Sequence, residues 1–213
     1  MNSMADTAKS IADYLLQIKA IKLQPSNPFT WASGWKSPIY CDNRKTLSFP
    51  EVRSAIRDAF VNKIRELYPG VELIAGVATG AIAHGVLVAE AMGLPFIYVR
   101  SGEKDHGLGN RIEGFFEKNQ KVVVIEDLIS TGGSSLRAVS ALREADCDVM
   151  GMLAIFTYGF KKAEDNFIAN KCHLHTLSDY KTLVGQAKET GYITDNEIHT
   201  LTNWRLDPSN WGK

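Results

Sequence analysis

The stretch KVVVIEDLISTGGSS, residues 121–135, joins an apolar run to two neighbouring carboxylates and then to a loop of hydroxyl residues and glycines. The run Val122–Ile125 contains only β-branched residues, which predicts a central and fully buried strand. Glu126 and Asp127 come at the carboxyl end of this strand, and a helix is predicted to begin near Gly133. Two acids and a glycine-rich loop between a strand and a helix indicate a ligand site.

Strands and helices alternate along the chain around this stretch. Apolar runs predict strands at 71–78, 94–100, 148–158 and 172–177. Runs with helical spacing predict helices at 79–93 and 133–145. The segments 112–117 and 121–127 are predicted to form a hairpin with its turn at 118–120. The alternation predicts an α/β fold with a mainly parallel central sheet flanked by helices.

The two ends of the chain do not follow this alternation. A first helix and a predicted hairpin through Gly34 precede the core, and two further helices follow it. We predict a single domain, residues 1–213, in which about 1–45 and 178–213 form a small cap. The core then comprises about residues 46–177. In open α/β sheets the ligand binds at the carboxyl ends of the strands.

Composition excludes several classes of protein. The formal net charge of +0 argues against broad binding to nucleic acid or to an anionic membrane. No apolar run approaches the ~20 residues that a membrane-spanning helix needs, and the N-terminus lacks the pattern of a signal peptide. Cys41, Cys147 and Cys172 have the spacing of neither a disulfide framework nor a zinc site. The sequence therefore predicts a cytoplasmic protein with reduced cysteines.

The loop Ser130–Ser134 is suited to a phosphate group. Its glycines let the backbone approach a ligand closely, and the start of a helix offers free N–H groups and a favourable dipole. The loop has neither the lysine of a P-loop nor the G-x-G-x-x-G of a dinucleotide site. Adjacent carboxylates suit the vicinal hydroxyls of a ribose, or a metal. A ligand with a phosphate and a sugar diol satisfies both halves; the alternative is a junction whose polar residues only cap the helix.

This stretch resembles the phosphoribosyl-pyrophosphate (PRPP) signature of the type I phosphoribosyltransferases, with four apolar residues, two acids, two apolar residues and a hydroxyl-rich loop. The resemblance implies that Glu126 and Asp127 bind the ribose 2- and 3-hydroxyls and that residues 130–134 hold the 5-phosphate. It also implies Mg²⁺ as a cofactor, held mainly through PRPP and without a direct protein ligand. The implied PRPP contacts in this motif are Glu126, Asp127, Leu128, Ile129, Ser130, Thr131, Gly132, Gly133 and Ser134.

The glycine-rich basic segment RSGEKDHGLGNR is similar to the catalytic loop of the orotate phosphoribosyltransferases, a group within this family. The resemblance implies that Arg100, Lys104 and His106 bind the pyrophosphate and that Lys104, Asp105 and His106 act in catalysis. In this group the loop reaches the site of the neighbouring subunit, which implies a homodimer with an exchanged 101–112 loop. Cations placed here would stabilise the charge on the leaving pyrophosphate.

A further loop resembles the one that contacts pyrophosphate through its backbone, which implies that Thr79 and Gly80 bind PRPP. Many members of the family have a lysine at the position of Gly80, and some have a second basic residue at that of Ser101. The resemblance therefore implies that this chain relies more on Arg100, Lys104 and the metal.

The segment FTWASGWKSPIYCDNR resembles the part of the orotate enzymes that covers the base. It implies that Lys36, the backbone at Tyr40 and Cys41, and the hydroxyl of Ser130 contact orotate. The alternative for Lys36 is a purely structural hairpin between the cap and the core.

The chain also departs from this group at two positions. Ala32 replaces a lysine, and Tyr158 stands where some members have the arginine that meets the orotate carboxylate, a role that a tyrosine does not fill. Arg44 is a candidate for that contact. His84 is predicted to have no catalytic role.

The resemblance covers nearly the whole chain and implies transfer of phosphoribosyl from PRPP to orotate. The products would be orotidine 5-phosphate and pyrophosphate, in the de novo synthesis of UMP and other pyrimidine nucleotides. Two alternatives stay open, a purine-base phosphoribosyltransferase and a non-catalytic regulator that senses PRPP with the same fold. Retention of Lys104 and His106 favours an enzyme.

Overall fold

The computed structural model describes residues 4–31, 34–100 and 111–211. Among these residues no helix is both long enough and apolar enough to cross a membrane. A short 3-10 helix spans Asn43–Ser48. The elements in chain order are α1 (Met4–Gln17), β1 (Ile21–Leu23), β2 (Phe29–Thr30), β3 (Lys36–Ser37), β4 (Ile39–Cys41), α2 (Pro50–Leu67), β5 (Leu73–Val77), α3 (Ile82–Met92), β6 (Phe96–Val99), β7 (Ile112–Glu113), β8 (Lys121–Ile129), α4 (Gly133–Glu144), β9 (Asp148–Thr157), α5 (Lys161–Ala169), β10 (Leu174–Asp179), α6 (Tyr180–Glu189) and α7 (Asp195–Leu206).

The six strands of the central sheet run in the order β10-β9-β8-β5-β6-β7. Every neighbouring pair is parallel except β6 and β7, so the predicted α/β fold with a mainly parallel sheet is confirmed. Val123 and Ile125 of β8 belong to the apolar cluster on one face of the sheet, and Val122 and Val124 belong to the cluster on the other. Because both faces are covered, β8 is apolar at consecutive positions instead of alternate ones.

The hairpin predicted between residues 112–117 and 121–127 is wrong. β7 pairs with β6 at the edge of the sheet, whereas β8 lies between two parallel neighbours, β5 and β9. A strand that is buried on both faces takes the centre of the sheet, and the two-residue β7 forms an edge, where short strands are common. The hairpin predicted through Gly34 is confirmed, since β2 pairs antiparallel with β3 and Gly34 has a φ of 84°.

The two ends of the chain pack together on one face of the sheet. Helix α1 lies against α6 and β10, and the Ser178 hydroxyl donates to the carbonyl oxygen of Ala8 at 2.9 Å. Trp204 of α7 is fully buried. Its indole packs against four aromatic rings, those of Trp31, Tyr158, Phe160 and Tyr180. One apolar cluster joins these ends to α2 and α3, and the division into a cap and a core at residues 45 and 178 stays a prediction.

Candidate active site

The carboxyl ends of three adjacent strands, β8, β5 and β6, meet at one edge of the sheet. The loop at 78–81 follows β5 and contains a cis peptide bond between Ala78 and Thr79. A Cβ atom built on Gly80 would lie 2.7 Å from Oδ1 of Asp127 and closer still to Oδ2. The backbone of Gly80 therefore contacts the Asp127 carboxylate. The loop at 78–81 and the end of β8, both of which are predicted to bind PRPP, thus touch each other.

The two acids of the opening stretch have different surroundings. Glu126 is 5% exposed and accepts hydrogen bonds from the Asp127 backbone N–H and from the Ser135 hydroxyl, each at 2.8 Å. Burial, followed by the neighbouring charge of Asp127, raises the pKa of Glu126 well above its usual range. Asp127 is only half-buried. Glu126 therefore joins β8 to the start of α4, and Asp127 is the more accessible of the two.

The loop before α4 has the geometry of an anion site. Helix α4 begins at Gly133, and Gly132 has a φ of 78°. A Cβ atom at Gly132 would lie 2.7 Å from the Phe167 ring, so a glycine is required there. The Asn166 amide donates to the carbonyl oxygen of Thr131 at 2.9 Å and holds the loop from α5. The first N–H groups of α4 have no acceptor within the helix and are available to a phosphate.

Arg100 lies directly after β6, the strand that neighbours β5. Its guanidinium pairs with Glu113 of β7 at 3.4 Å, and its backbone N–H donates to the carbonyl oxygen of Arg111 at 2.8 Å. The predicted pyrophosphate contacts Arg100, Thr79 and Gly80 thus share one edge of the sheet. The three predicted catalytic residues lie outside the described residues: Lys104, Asp105 and His106.

A cavity of about 270 Å³ opens beside the acid pair. The described residues that line it are Thr30, Trp31, Tyr40, Cys41, Leu128, Ser130 and Tyr158. Three of the four predicted orotate contacts, Tyr40, Cys41 and Ser130, are therefore brought together in one place, which we call the base cavity. No lysine or arginine is among the described residues that line it.

The fourth predicted contact, Lys36, reaches the base cavity through Thr30. The Lys36 ammonium donates to Thr30 Oγ1 at 2.8 Å. Because this oxygen accepts from a cation, the Thr30 hydroxyl proton stays available to donate into the cavity. Thr30 was not assigned a role from the sequence, since the motif that contains it does not reveal which side chain Lys36 contacts.

A larger cavity of about 540 Å³ lies between α5 and the end of α7. It contains Thr131, Lys161, Lys162 and Arg205 among its lining residues and neither of the two acids. The smaller base cavity is lined by Leu128 and Ser130, which lie one and three residues after Asp127. Three of the predicted orotate contacts line the smaller cavity, and none is among the described residues that line the larger one.

Tyr158 forms one wall of the base cavity. Its ring stacks on Phe160 and packs against Trp31, and Arg205 Nε donates to its carbonyl oxygen at 3.1 Å. Burial raises the pKa of the Tyr158 hydroxyl well above its usual range. The side chain is therefore neutral at physiological pH and does not supply the positive charge of the arginine that it replaces.

Arg44, the candidate for the orotate carboxylate, is engaged elsewhere. Its guanidinium forms two hydrogen bonds with the carboxylate of Asp42, at 2.7 and 3.1 Å. Hydrogen bonding from Arg44 lowers the pKa of Asp42. Arg44 is not among the described residues that line the base cavity, so its predicted role stays a prediction.

The described acids fit a magnesium ion that is held mainly by a substrate. Within residues 4–31, 34–100 and 111–211, no group of three or more His, Cys, Asp and Glu side chains is arranged to hold a metal. Mg²⁺ commonly keeps several waters and uses one or two carboxylates together with substrate phosphates. The half-buried carboxylate of Asp127 is a suitable donor of this kind.

Comparisons with known proteins agree on one family. The family model described as phosphoribosyl transferase domain matches residues 46–185. The chain is 57% identical over 209 residues to the orotate phosphoribosyltransferase of Porphyromonas gingivalis, covering 98% of this chain and all of that protein. The crystal structure of the orotate phosphoribosyltransferase from Aeropyrum pernix is 25% identical, with a TM-score of 0.74 over 86% of this chain and 99% of that one. UMP synthase of Leishmania donovani, at 21% identity, shares the fold with a TM-score of 0.80 over 95% of this chain and 43% of that one.

Proposed function

The chain belongs to the orotate phosphoribosyltransferases of the phosphoribosyltransferase family, and we propose that it transfers the phosphoribosyl group of PRPP to orotate. The reaction releases pyrophosphate and forms orotidine 5-phosphate, a step in the synthesis of pyrimidine nucleotides. One observation supports the proposal most directly. One edge of the sheet brings together Asp127, the loop at 130–134 and the loop at Gly80, next to the base cavity.

The proposed assignment of the PRPP groups follows the order of these loops. Residues 130–134 hold the 5-phosphate, Glu126 and Asp127 hold the ribose hydroxyls, and the backbone at Thr79 and Gly80 faces the pyrophosphate. Breaking the bond from ribose C1 to pyrophosphate leaves positive charge on the sugar and negative charge on the leaving group. Arg100, with Lys104 and His106, would stabilise the leaving group, and Asp105 would organise the loop that contains them. Leu128 and Ile129 connect the ribose and phosphate subsites.

Magnesium is the proposed cofactor. When bound, it would neutralise charge on the pyrophosphate group of PRPP. Asp127 would hold it together with oxygens of PRPP itself, which replaces the expectation from the resemblance that no protein residue is a direct ligand. The three cysteines are unpaired, which is compatible with the reducing cytoplasm that we propose as its location.

Lys36 is proposed to place a positive charge at the entrance of the base cavity, directly or through Thr30. Lys36→Met keeps most of the apolar stem and removes the charge. We expect KM for orotate to rise about 10-fold, as for a lost hydrogen bond to a charged group, while KM for PRPP stays within about twofold of wild type. Steady-state kinetics with each substrate varied in turn provides the measurement.

The matched control for this prediction is Lys181→Met, because Lys181 is exposed on α6. It should leave both KM values unchanged. An unaltered KM for orotate in Lys36→Met would leave only the structural hairpin role for Lys36.

A homodimer that exchanges its 101–112 loops is also proposed, and it predicts complementation between inactive variants. Lys104→Ala removes a loop cation, and Asp127→Asn removes a charge at the ribose. In a 1:1 mixture that has re-equilibrated, about half of the dimers are mixed and each has one site with both residues intact. Activity is expected to recover to about a quarter of wild type. Activity that stays at the level of the separate variants, although the subunits have exchanged, would mean that each loop serves its own subunit.

The central test is a spectrophotometric assay of PRPP and Mg²⁺ with orotate, beside the same assay with hypoxanthine and guanine. We expect turnover of orotate and negligible turnover of the purines. Efficient purine turnover without orotate turnover would favour the purine-base alternative. Binding of PRPP without turnover of any base would favour the non-catalytic regulator.

A further inference from the structure

A buried polar network lies next to the acid pair and was not assigned from the sequence. It consists of Asn43 and Thr46 of the 3-10 helix and His84 of α3, none of them more than 1% exposed. Buried polar groups remain in a folded protein where hydrogen bonds compensate for the loss of water. What these hydrogen bonds hold in place is therefore informative.

The side-chain amide of Asn43 contacts both substrate subsites. Its Nδ2 donates to the backbone carbonyl oxygen of Asp127 at 2.6 Å, and its Oδ1 accepts from the Cys41 thiol at 3.3 Å. Burial, with the charges of Asp127 and Asp42, raises the pKa of Cys41 well above its usual range. The thiol therefore keeps the proton that it donates. Because Cys41 lines the base cavity, a single amide joins this cavity to the acid pair.

Thr46 contacts the main chain of Asn43, and His84 contacts Thr46. The Thr46 hydroxyl donates to the backbone carbonyl oxygen of Asn43 at 2.5 Å, and its oxygen lies 3.0 Å from His84 Nε2. A hydroxyl has one proton, so Thr46 must accept from His84, which places the ring proton on Nε2. Burial lowers the pKa of His84 to about 4, and the ring is neutral near pH 7. The helix that contains His84 follows the loop at Gly80.

Asn43 and Gly80 both affect the position of Asp127. Asn43 holds its main chain, and the absence of a side chain at Gly80 leaves the space that its carboxylate occupies. Small displacements of a group that positions a substrate can lower turnover strongly, by about 100-fold for 1 Å. A residue that sets the main-chain position of Asp127 would therefore affect catalysis without touching the substrate.

We propose that Asn43, held by Thr46 and His84, is a positioning residue that sets the distance between the ribose acids and the base cavity. The proposal rests on the PRPP half of the proposed function. It assigns to His84 a supporting role through Thr46, which is not a catalytic role. A purely structural role would instead affect stability alone.

Two substitutions of Thr46 separate these roles. Thr46→Val keeps the shape of the side chain and removes the hydroxyl, whereas Thr46→Ser keeps the hydroxyl and removes a fully buried methyl group. We expect Tm to fall in both variants, because one leaves polar partners unsatisfied and the other leaves a small void. At a temperature well below either Tm, kcat/KM for PRPP is expected to fall about 10-fold or more in Thr46→Val and to stay near wild type in Thr46→Ser.

Asn43→Ala should have a larger effect, with kcat/KM for PRPP reduced about 100-fold. The control is Asn203→Ala on the exposed face of α7, which should not change it. If kcat/KM follows Tm across Thr46→Val, Thr46→Ser and Asn43→Ala, without regard to the hydroxyl, the positioning role is overturned.

A binding measurement without an acceptor base keeps this inference separate from the choice of acceptor. PRPP with Mg²⁺ should raise the Tm of the wild type, and Asn43→Ala should require about 10-fold more PRPP for the same rise. An equal requirement in both proteins contradicts the proposal even if orotate is the true acceptor. If PRPP does not raise the Tm of the wild type at all, the proposed function itself fails, and the inference fails with it.

Discussion

Gly80→Ala is expected to fold normally, and its kcat/KM for PRPP is expected to fall about 100-fold. The new Cβ would occupy the position of the Asp127 carboxylate, with Oδ1 only 2.7 Å away. The carboxylate ends a short, rotatable side chain, so it would turn away while the strands β5 and β8 stay paired. The damage should therefore be to the site and not to the fold.

Gly185→Ala is the matched control, because a Cβ at this position in α6 meets no atom within 4 Å. Alanine is the better helix former by about 1 kcal/mol, so this variant should be at least as stable as wild type and fully active. Circular dichroism establishes the fold of both variants, and initial rates at several PRPP concentrations establish kcat/KM. Near-normal efficiency of Gly80→Ala would show that the position of the Asp127 carboxylate does not matter for the reaction.

Glu126→Gln is expected to raise stability at alkaline pH. It is also expected to lower turnover on the order of 100-fold, as for the loss of a charged hydrogen bond, here the proposed one to the ribose. Burial and the charge of Asp127 raise the pKa of Glu126 in the folded protein. The folded state then holds this proton more tightly than the unfolded chain. The resulting stabilisation is complete below the unfolded pKa and is lost as pH rises through the folded pKa.

Glutamine has nearly the shape of glutamic acid and does not ionise. Its oxygen can accept from the Asp127 N–H, and its amide can donate to Ser135, whose hydroxyl also accepts. We expect the Tm of the variant to exceed that of wild type by about 3 °C at pH 8 and by less at pH 5, where the wild-type group is closer to neutral. Other titrating groups are present in both proteins and cancel in the difference.

Thermal unfolding at the two pH values and turnover of orotate at pH 8 together check this prediction. Glu144→Gln, an exposed position at the end of α4, should change neither property. A Tm difference that is the same at pH 5 and pH 8 would mean that ionisation of Glu126 does not oppose folding. Full activity of Glu126→Gln would exclude a role for its charge at the ribose.

The central sheet could be predicted because its determinants are local in sequence. The unbroken apolar run at Val122–Ile125 indicates burial on both faces, and the acids that follow it then fall at the edge where parallel sheets bind ligands. Helix α5 was not predicted. Phe160 precedes it in the N-cap position and makes no side-chain capping hydrogen bond, so the usual signal for the start of a helix is missing.

The contacts between distant segments could not be predicted. Asn43 and Asp127 are 84 residues apart, and nothing in either local pattern indicates that an amide meets that carbonyl oxygen. The space at Gly80 is filled by the Asp127 side chain from β8. The sequence shows only that a lysine common in the family is absent at this position. The resemblance to a family indicates which segments are expected to form the site, but it does not indicate the contacts that hold those segments together.

Of the described residues that line the base cavity, Leu128 and Ser130 belong to the segment assigned to PRPP, and the others come from elsewhere in the chain. Thr30 and Trp31 come from the first hairpin, and Tyr158 is supported by Trp204 of the last helix. The loops assigned to PRPP are anchored on the central sheet instead. Substitutions near the ends of the chain can therefore alter the choice of acceptor while the donor loops stay intact. Such an arrangement would allow one donor-binding scaffold to acquire new acceptors, because substitutions at the walls from the chain ends need not touch Leu128 and Ser130.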